Sequence, residues 1–99
     1  MNTLGCSTLV FSGDTIPQME STQLDKILGQ QIQIHRQNKG WSQEYLAEVT
    51  GLHRTYISQL ERGLKSPSVR VLNHITHALG MSISRFFQGV EELLDADRQ

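Results

Sequence analysis

Gln43-Glu44-Tyr45-Leu46-Ala47-Glu48-Val49-Thr50-Gly51-Leu52-His53-Arg54-Thr55-Tyr56-Ile57-Ser58-Gln59-Leu60-Glu61-Arg62-Gly63 is the stretch that decides how the chain folds. Ser42 stands where a hydroxyl can cap a helix, and Glu44 lies near the positive N-terminal end of that helix dipole. Tyr45, Leu46 and Val49 are expected to face inward, and Gly51 closes this short helix. A further helix spans roughly Arg54 to Arg62 and stops at Gly63. The two helices meet at Thr50-Gly51-Leu52-His53, a turn too tight for an ordinary antiparallel pair. Such a turn sets helices at a steep angle, with one bracing across a surface that the other enters.

The second of these helices is two-sided. At about 100° per residue Ile57, Leu60 and Leu64 fall on one side, which is expected to face the core. Thr55, Ser58, Gln59 and Arg62 fall on the other, with Arg54 and Arg62 at its two ends. That outer face is neither apolar nor a run of pairing charges. It is a row of hydrogen-bonding groups of the kinds that match base edges: Gln with adenine, Arg with guanine, a Thr methyl with thymine.

Outward from this stretch the pattern stays helical. Ser21 or Thr22 can cap a helix to about Asn38 that carries Leu24, Ile27, Leu28 and Ile32, and Lys39-Gly40 ends it. Lys65-Ser66-Pro67-Ser68 reads as a loop. A fourth helix follows from about Val69 to Leu79, burying Val71, Leu72, Ile75, Ala78 and Leu79, and Gly80 stops it. Ser82 caps a short fifth helix with Ile83, Phe86 and Phe87. Gly89 is expected to break it, leaving a turn or two over Val90 to Asp95. The expected fold is all-α, with five helices.

The ends differ from the middle. Residues 1–21 hold Gly5, Gly13 and Pro17 and no sustained helical period, so they read as a flexible N-terminal arm, with Thr8-Leu9-Val10-Phe11 as its one strand-like run. Residues 22–90 form the expected domain, and residues 91–99 a short acidic C-terminal tail. The net charge of −1 hides this division. Residues 22–90 carry eight basic against four acidic side chains, while Glu91, Glu92, Asp95 and Asp97 face only Arg98, and Asp14 and Glu20 stand in the arm. A basic middle between acidic ends fits an anionic partner for the middle.

Other functions find little support. No apolar run is long enough for a membrane span, and no signal segment is seen, so a cytoplasmic protein without a membrane partner is expected. Cys6, the single cysteine, fits a free thiol in a reducing compartment. His74 and His77 lie three apart, but no third ligand is near them, so no metal is expected. Phosphate loops, nucleophile–base pairs and cofactor signatures are all missing. The sequence reads as a non-enzyme with no cofactor.

Residues 28–87 resemble the phage-repressor helix-turn-helix family, of Cro and lambda-repressor type. The matching residues are Lys39-Gly40-Trp41-Ser42-Gln43-Glu44-Tyr45-Leu46-Ala47, Gly51-Leu52, Thr55 through Gly63, Ser66-Pro67-Ser68, Leu72, Ala78-Leu79-Gly80 and Phe86-Phe87. The resemblance implies a five-helix lambda-repressor-like domain that binds double-stranded DNA as a transcriptional regulator. It implies base reading by Arg54, Thr55, Ser58 and Gln59. It implies phosphate contacts for Gln43, Arg62, Lys65 and Ser66, with Ser68 near the minor groove. Tyr56 is open between a phosphate contact and half-buried packing. Arg36 and Glu61 occupy positions that pair as a structural salt bridge. His35 stands where the family has leucine, Gln31 and Gln33 where it has arginine, and His53 where it has a capping Asp or Ser.

A single recognition helix reads few base pairs, so a homodimer on two half-sites is expected. Ile83, Phe86, Phe87, Val90, Leu93, Leu94 and the arm are the candidates for its interface, and equally for capping the core. The alternative is an antitoxin or a restriction–modification controller that also binds a second small protein.

Overall fold

Thr22 opens the first helix with a reciprocal cap: its hydroxyl accepts from the Asp25 amide at 3.3 Å, and the Asp25 carboxylate accepts from the Thr22 amide at 3.2 Å. The computed structural model describes residues 22–98. Among them are five helices and no strand: α1 Gln23–Asn38, α2 Gln43–Thr50, α3 Arg54–Glu61, α4 Val69–Ala78 and α5 Ile83–Arg98. The arm, with Cys6 and the strand-like run Thr8–Phe11, lies outside the described residues.

Hydroxyls and glycines punctuate this layout. Ser42, Ser68 and Ser82 each accept from a backbone amide three residues on, at the starts of α2, α4 and α5. Gly40, Gly51, Gly63 and Gly80 all take positive φ at the helix stops. His53 begins α3 with no side-chain cap.

The core is one apolar cluster. Ile32, Leu46, Ile57, Ile75 and Phe86 lose all solvent contact, and Ile27, Leu28, Leu60, Leu72, Leu79 and Val90 nearly so. α1 packs on α3 and α5, α2 packs on α3 and α4, and α4 packs on α5. Helix α3 is therefore wedged between α1 and α2, with its inner face fixed and its outer face open.

The expected inward placement of Tyr45, Val49 and Leu64 fails. Tyr45 and Val49 are exposed, whereas Leu46, Ala47 and Thr50 are the buried residues of α2. Its inner face is turned by about one residue, ~100°, from the expected one. Thr50 can go inside because its hydroxyl donates to the carbonyls of Leu46 and Ala47 at 2.7 and 3.2 Å. Tyr45 instead meets the Trp41 ring edge-on, 4.9 Å between centroids, outside the core. Leu64 is exposed, because α3 ends before it and Gly63 turns the chain away, and Leu24 is exposed in the first turn of α1.

Gly89 does not break α5, which runs on through the acidic end of the chain. A Cβ there would stand 2.0 Å from the Gln31 side-chain nitrogen, so this glycine makes room for a buried side chain of α1. Gly29 does the same on the other flank: a Cβ would meet the Leu60 carbonyl oxygen at 2.1 Å. These two glycines let α1 approach both α5 and the end of α3 closely.

Candidate nucleic-acid interface

The α2–α3 unit is held from behind. Gly51 caps α2 at φ 73°, with its amide directed to the Ala47 carbonyl. The amide of Leu52 also bonds the Ala47 carbonyl, at 3.1 Å. From α4, His74 donates its Nε2–H to the Thr50 carbonyl at 2.5 Å, satisfying an orphan carbonyl at the C-terminus of α2. His74 is thus used in joining helices, and no group of three metal-binding side chains occurs among the described residues.

The opposite end of the unit is tied by a buried ion pair. Arg36 donates from Nε to Glu61 Oε2 at 2.7 Å and from Nη2 to Oε1 at 3.0 Å, a bidentate fork. Its Nη1 donates to the Trp41 carbonyl at 2.7 Å. The Glu61 hydrogen bond raises the Arg36 pKa further above its ordinary value, outweighing burial. One carboxylate therefore clips the end of α3 to α1 and, through Arg36, to the start of the α2 segment.

Gln43 joins this network. Its amide nitrogen donates to Glu61 Oε1 at 3.0 Å, so the side chain is oriented from within. One amide hydrogen is left for an outside acceptor such as a phosphate.

The outer face of α3 is open. Arg54 and Thr55 are exposed, Ser58 and Gln59 half-exposed, and Arg62 exposed at the helix end. Lys65 and Ser66 are exposed on the following loop. Tyr56 is half-buried and packs against the core. Ser68 gives its oxygen to the cap of α4. Ile57 and Leu60 anchor the helix, so the polar row is presented on a rigid support.

One feature of this face is invisible in the spacing of residues. Glu44 Oε2 lies 2.9 Å from Arg54 Nε, an ion pair that bridges α2 and α3 on the exposed side. The sequence shows an acid near a helix N-terminus, and that dipole role alone gave no reason to join it to Arg54.

Residues 32–86 match the helix-turn-helix family model. The chain belongs to that family. This helix-turn-helix protein is 36% identical over 62 residues to the control protein C.SmaI of Serratia marcescens, spanning 63% of the chain and 74% of that relative. It is 35% identical over 71 residues to a hypothetical transcription factor of Neisseria meningitidis, spanning 72% and 67%. Among solved structures it is similar to the restriction–modification controller protein C.Esp1396I, seen as a tetramer with its natural 35-base-pair operator. The TM-score is 0.68 at 32% identity, over 72% of this chain and 93% of that one. Among the described residues no helix is long and apolar enough to cross a membrane.

Proposed function

We propose that this protein is a sequence-specific double-stranded-DNA-binding regulator of transcription that works as a homodimer, with α3 in the major groove. The carrying observation is the exposed row Arg54, Thr55, Ser58 and Gln59 on a helix whose other side is locked into the core. Arg54, Thr55, Ser58 and Gln59 read base edges, while Gln43, Arg62, Lys65 and Ser66 hold phosphates on either side. Half-buried Tyr56 serves mainly as packing, with its hydroxyl at the flank. The protein acts in the cytoplasm without catalysis or a cofactor.

Two copies are needed because one α3 reads too few base pairs for useful specificity. Phe86 and Val90 belong to the core, while exposed Leu24 and Phe87 flank a groove of about 300 Å³ whose lining also includes Glu91 and Leu94. We assign the partner copy to this groove.

Within this reading, a restriction–modification controller is favoured over an antitoxin. A controller of that kind is matched over 93% of its length, and that protein is seen as a tetramer in complex with its operator.

Selection of bound sequences from a random DNA pool tests the proposal. The expected product is a two-fold symmetric site with half-site centres about 10 base pairs apart. Recovery of no preferred sequence overturns it.

A further inference from the structure

Resting on the DNA-reading role above, we propose that Glu44 is a positioning residue that aims Arg54 at a base and so sets the preference at that base pair. Glu44 lies in the first turn of α2 and Arg54 is the first residue of α3, so their ion pair spans the turn between the helices. Both side chains are largely in solvent, 55% exposed for Arg54 and 67% for Glu44. Exposed pairs of this kind contribute little to folding stability. The pair's consequence lies in where it holds the guanidinium.

Two physical effects act in the same direction. A free arginine at a helix start samples many rotamers and must lose that freedom on binding; a carboxylate 2.9 Å away removes part of it beforehand. The closest approach is at Nε, which leaves the Nη1–Nη2 edge for a second acceptor pair. That edge matches O6 and N7 of guanine.

The second effect is repulsion. A bare carboxylate on a DNA-facing surface is unfavourable beside phosphates. If Arg54 swings to a phosphate it leaves Glu44 unneutralised there. If it reaches inward to a base from the Nε-paired position, the two charges stay together. Glu44 thus disfavours the sequence-blind partner of Arg54 and favours the base. Glu48 and His53 line the same shallow cleft as the pair. No ion pair joins Glu48 to Arg54; the carboxylate paired with it is that of Glu44.

The test uses the full chain and its selected site. Arg54→Ala first identifies the base pair that Arg54 reads, as the position whose preference is lost. Affinities of the wild type and of Glu44→Gln are then measured on the four base variants at that position and at one distant position. The expected result for Glu44→Gln is a loss of about fivefold in discrimination at the Arg54 position alone, a fraction of what one bidentate base contact provides. The thermal midpoint should be unchanged. Introduced into Arg54→Ala, the same change should alter no base preference. Equal shifts on all four variants would reduce Glu44 to a general repulsive charge and overturn its positioning role. If the wild type itself discriminates no sequence, the DNA-reading role fails; intact discrimination in Glu44→Gln overturns only the inference about Glu44.

Discussion

Arg36 and Glu61, 25 positions apart, face each other through two hydrogen bonds with almost no access to solvent: their side chains are 9% and 2% exposed. A charge in this setting has lost its water and depends on its partner. Glu61→Ala leaves the Arg36 guanidinium with the Trp41 carbonyl only, and also frees Gln43. The expected cost is about 3 kcal/mol, read from urea unfolding followed by circular dichroism. A cost below about 1 kcal/mol would place this pair among surface pairs and remove it as the clip of α3.

His35 is expected to make folding sensitive to acid. Its ring lies between α1 and α5, where it accepts a hydrogen bond from the Gln31 amide at 2.9 Å and contacts Phe86. Burial, aided by the positive charge of Arg85, lowers its pKa below the ordinary 6.5. The unfolded chain then binds a proton that the folded chain does not. Stability contributed by the neutral ring is complete above the unfolded value and is lost as pH falls below about 6.5 toward the folded pKa. The urea midpoint should fall across that window, and His35→Gln should flatten the fall. A slope unchanged in His35→Gln would assign the acid sensitivity to another group.

Gly29→Ala isolates packing from propensity. In an exposed helix the change would stabilise by about 1 kcal/mol. Here the new methyl would stand 2.1 Å from the Leu60 carbonyl oxygen and 2.8 Å from that of Glu61, both backbone atoms that cannot step aside singly. Forced overpacking costs about 1–3 kcal/mol, so the net sign should be destabilising. A raised melting temperature would show that α1 and α3 have room to part.

The punctuation of the fold is legible in the sequence because its causes are local. A hydroxyl at Thr22, Ser42 or Ser82 and a glycine at 40, 51, 63 or 80 act on their own few residues. The polar row of α3 is legible for the same reason, as Ile57 and Leu60 fix which side is inner. What escapes is set by neighbours distant in sequence. Tyr45 and Val49 are more apolar than Ala47 and Thr50, yet the smaller pair is buried because α2 must lie close to α3 and α4. Gly89 reads as a breaker until Gln31 is placed against it. Gln43 reads as a phosphate ligand, and only the fold reveals that Glu61 already holds one of its hydrogens.

Phe87 tests the dimer. It is 38% exposed beside Leu24, unlike Phe86, which is fully inside. Phe87→Asp should leave the circular-dichroism spectrum and melting largely intact while shifting the sedimentation mass to one copy. Cooperative binding to a two-half-site operator should be lost with it. A dimer that persists would move the interface elsewhere on the surface.

Gln59 and Lys65 separate reading from holding. Gln59 projects half-exposed from the outer side of α3, where an amide can pair with adenine through two hydrogen bonds. Gln59→Ala should weaken binding to the selected site by about 1–3 kcal/mol and relax one base position, leaving unrelated DNA bound as before. Lys65 stands exposed on the loop beyond Gly63, with a point charge and no fork to match a base. Lys65→Ala should weaken binding on every sequence alike, and the slope of log affinity against log salt should flatten by about one unit. Titrations of both variants at several salt concentrations, on specific and scrambled duplexes, distinguish the two patterns. Uniform loss for Gln59→Ala would show that it contacts no base, and an unchanged slope for Lys65→Ala would take it off the phosphate backbone.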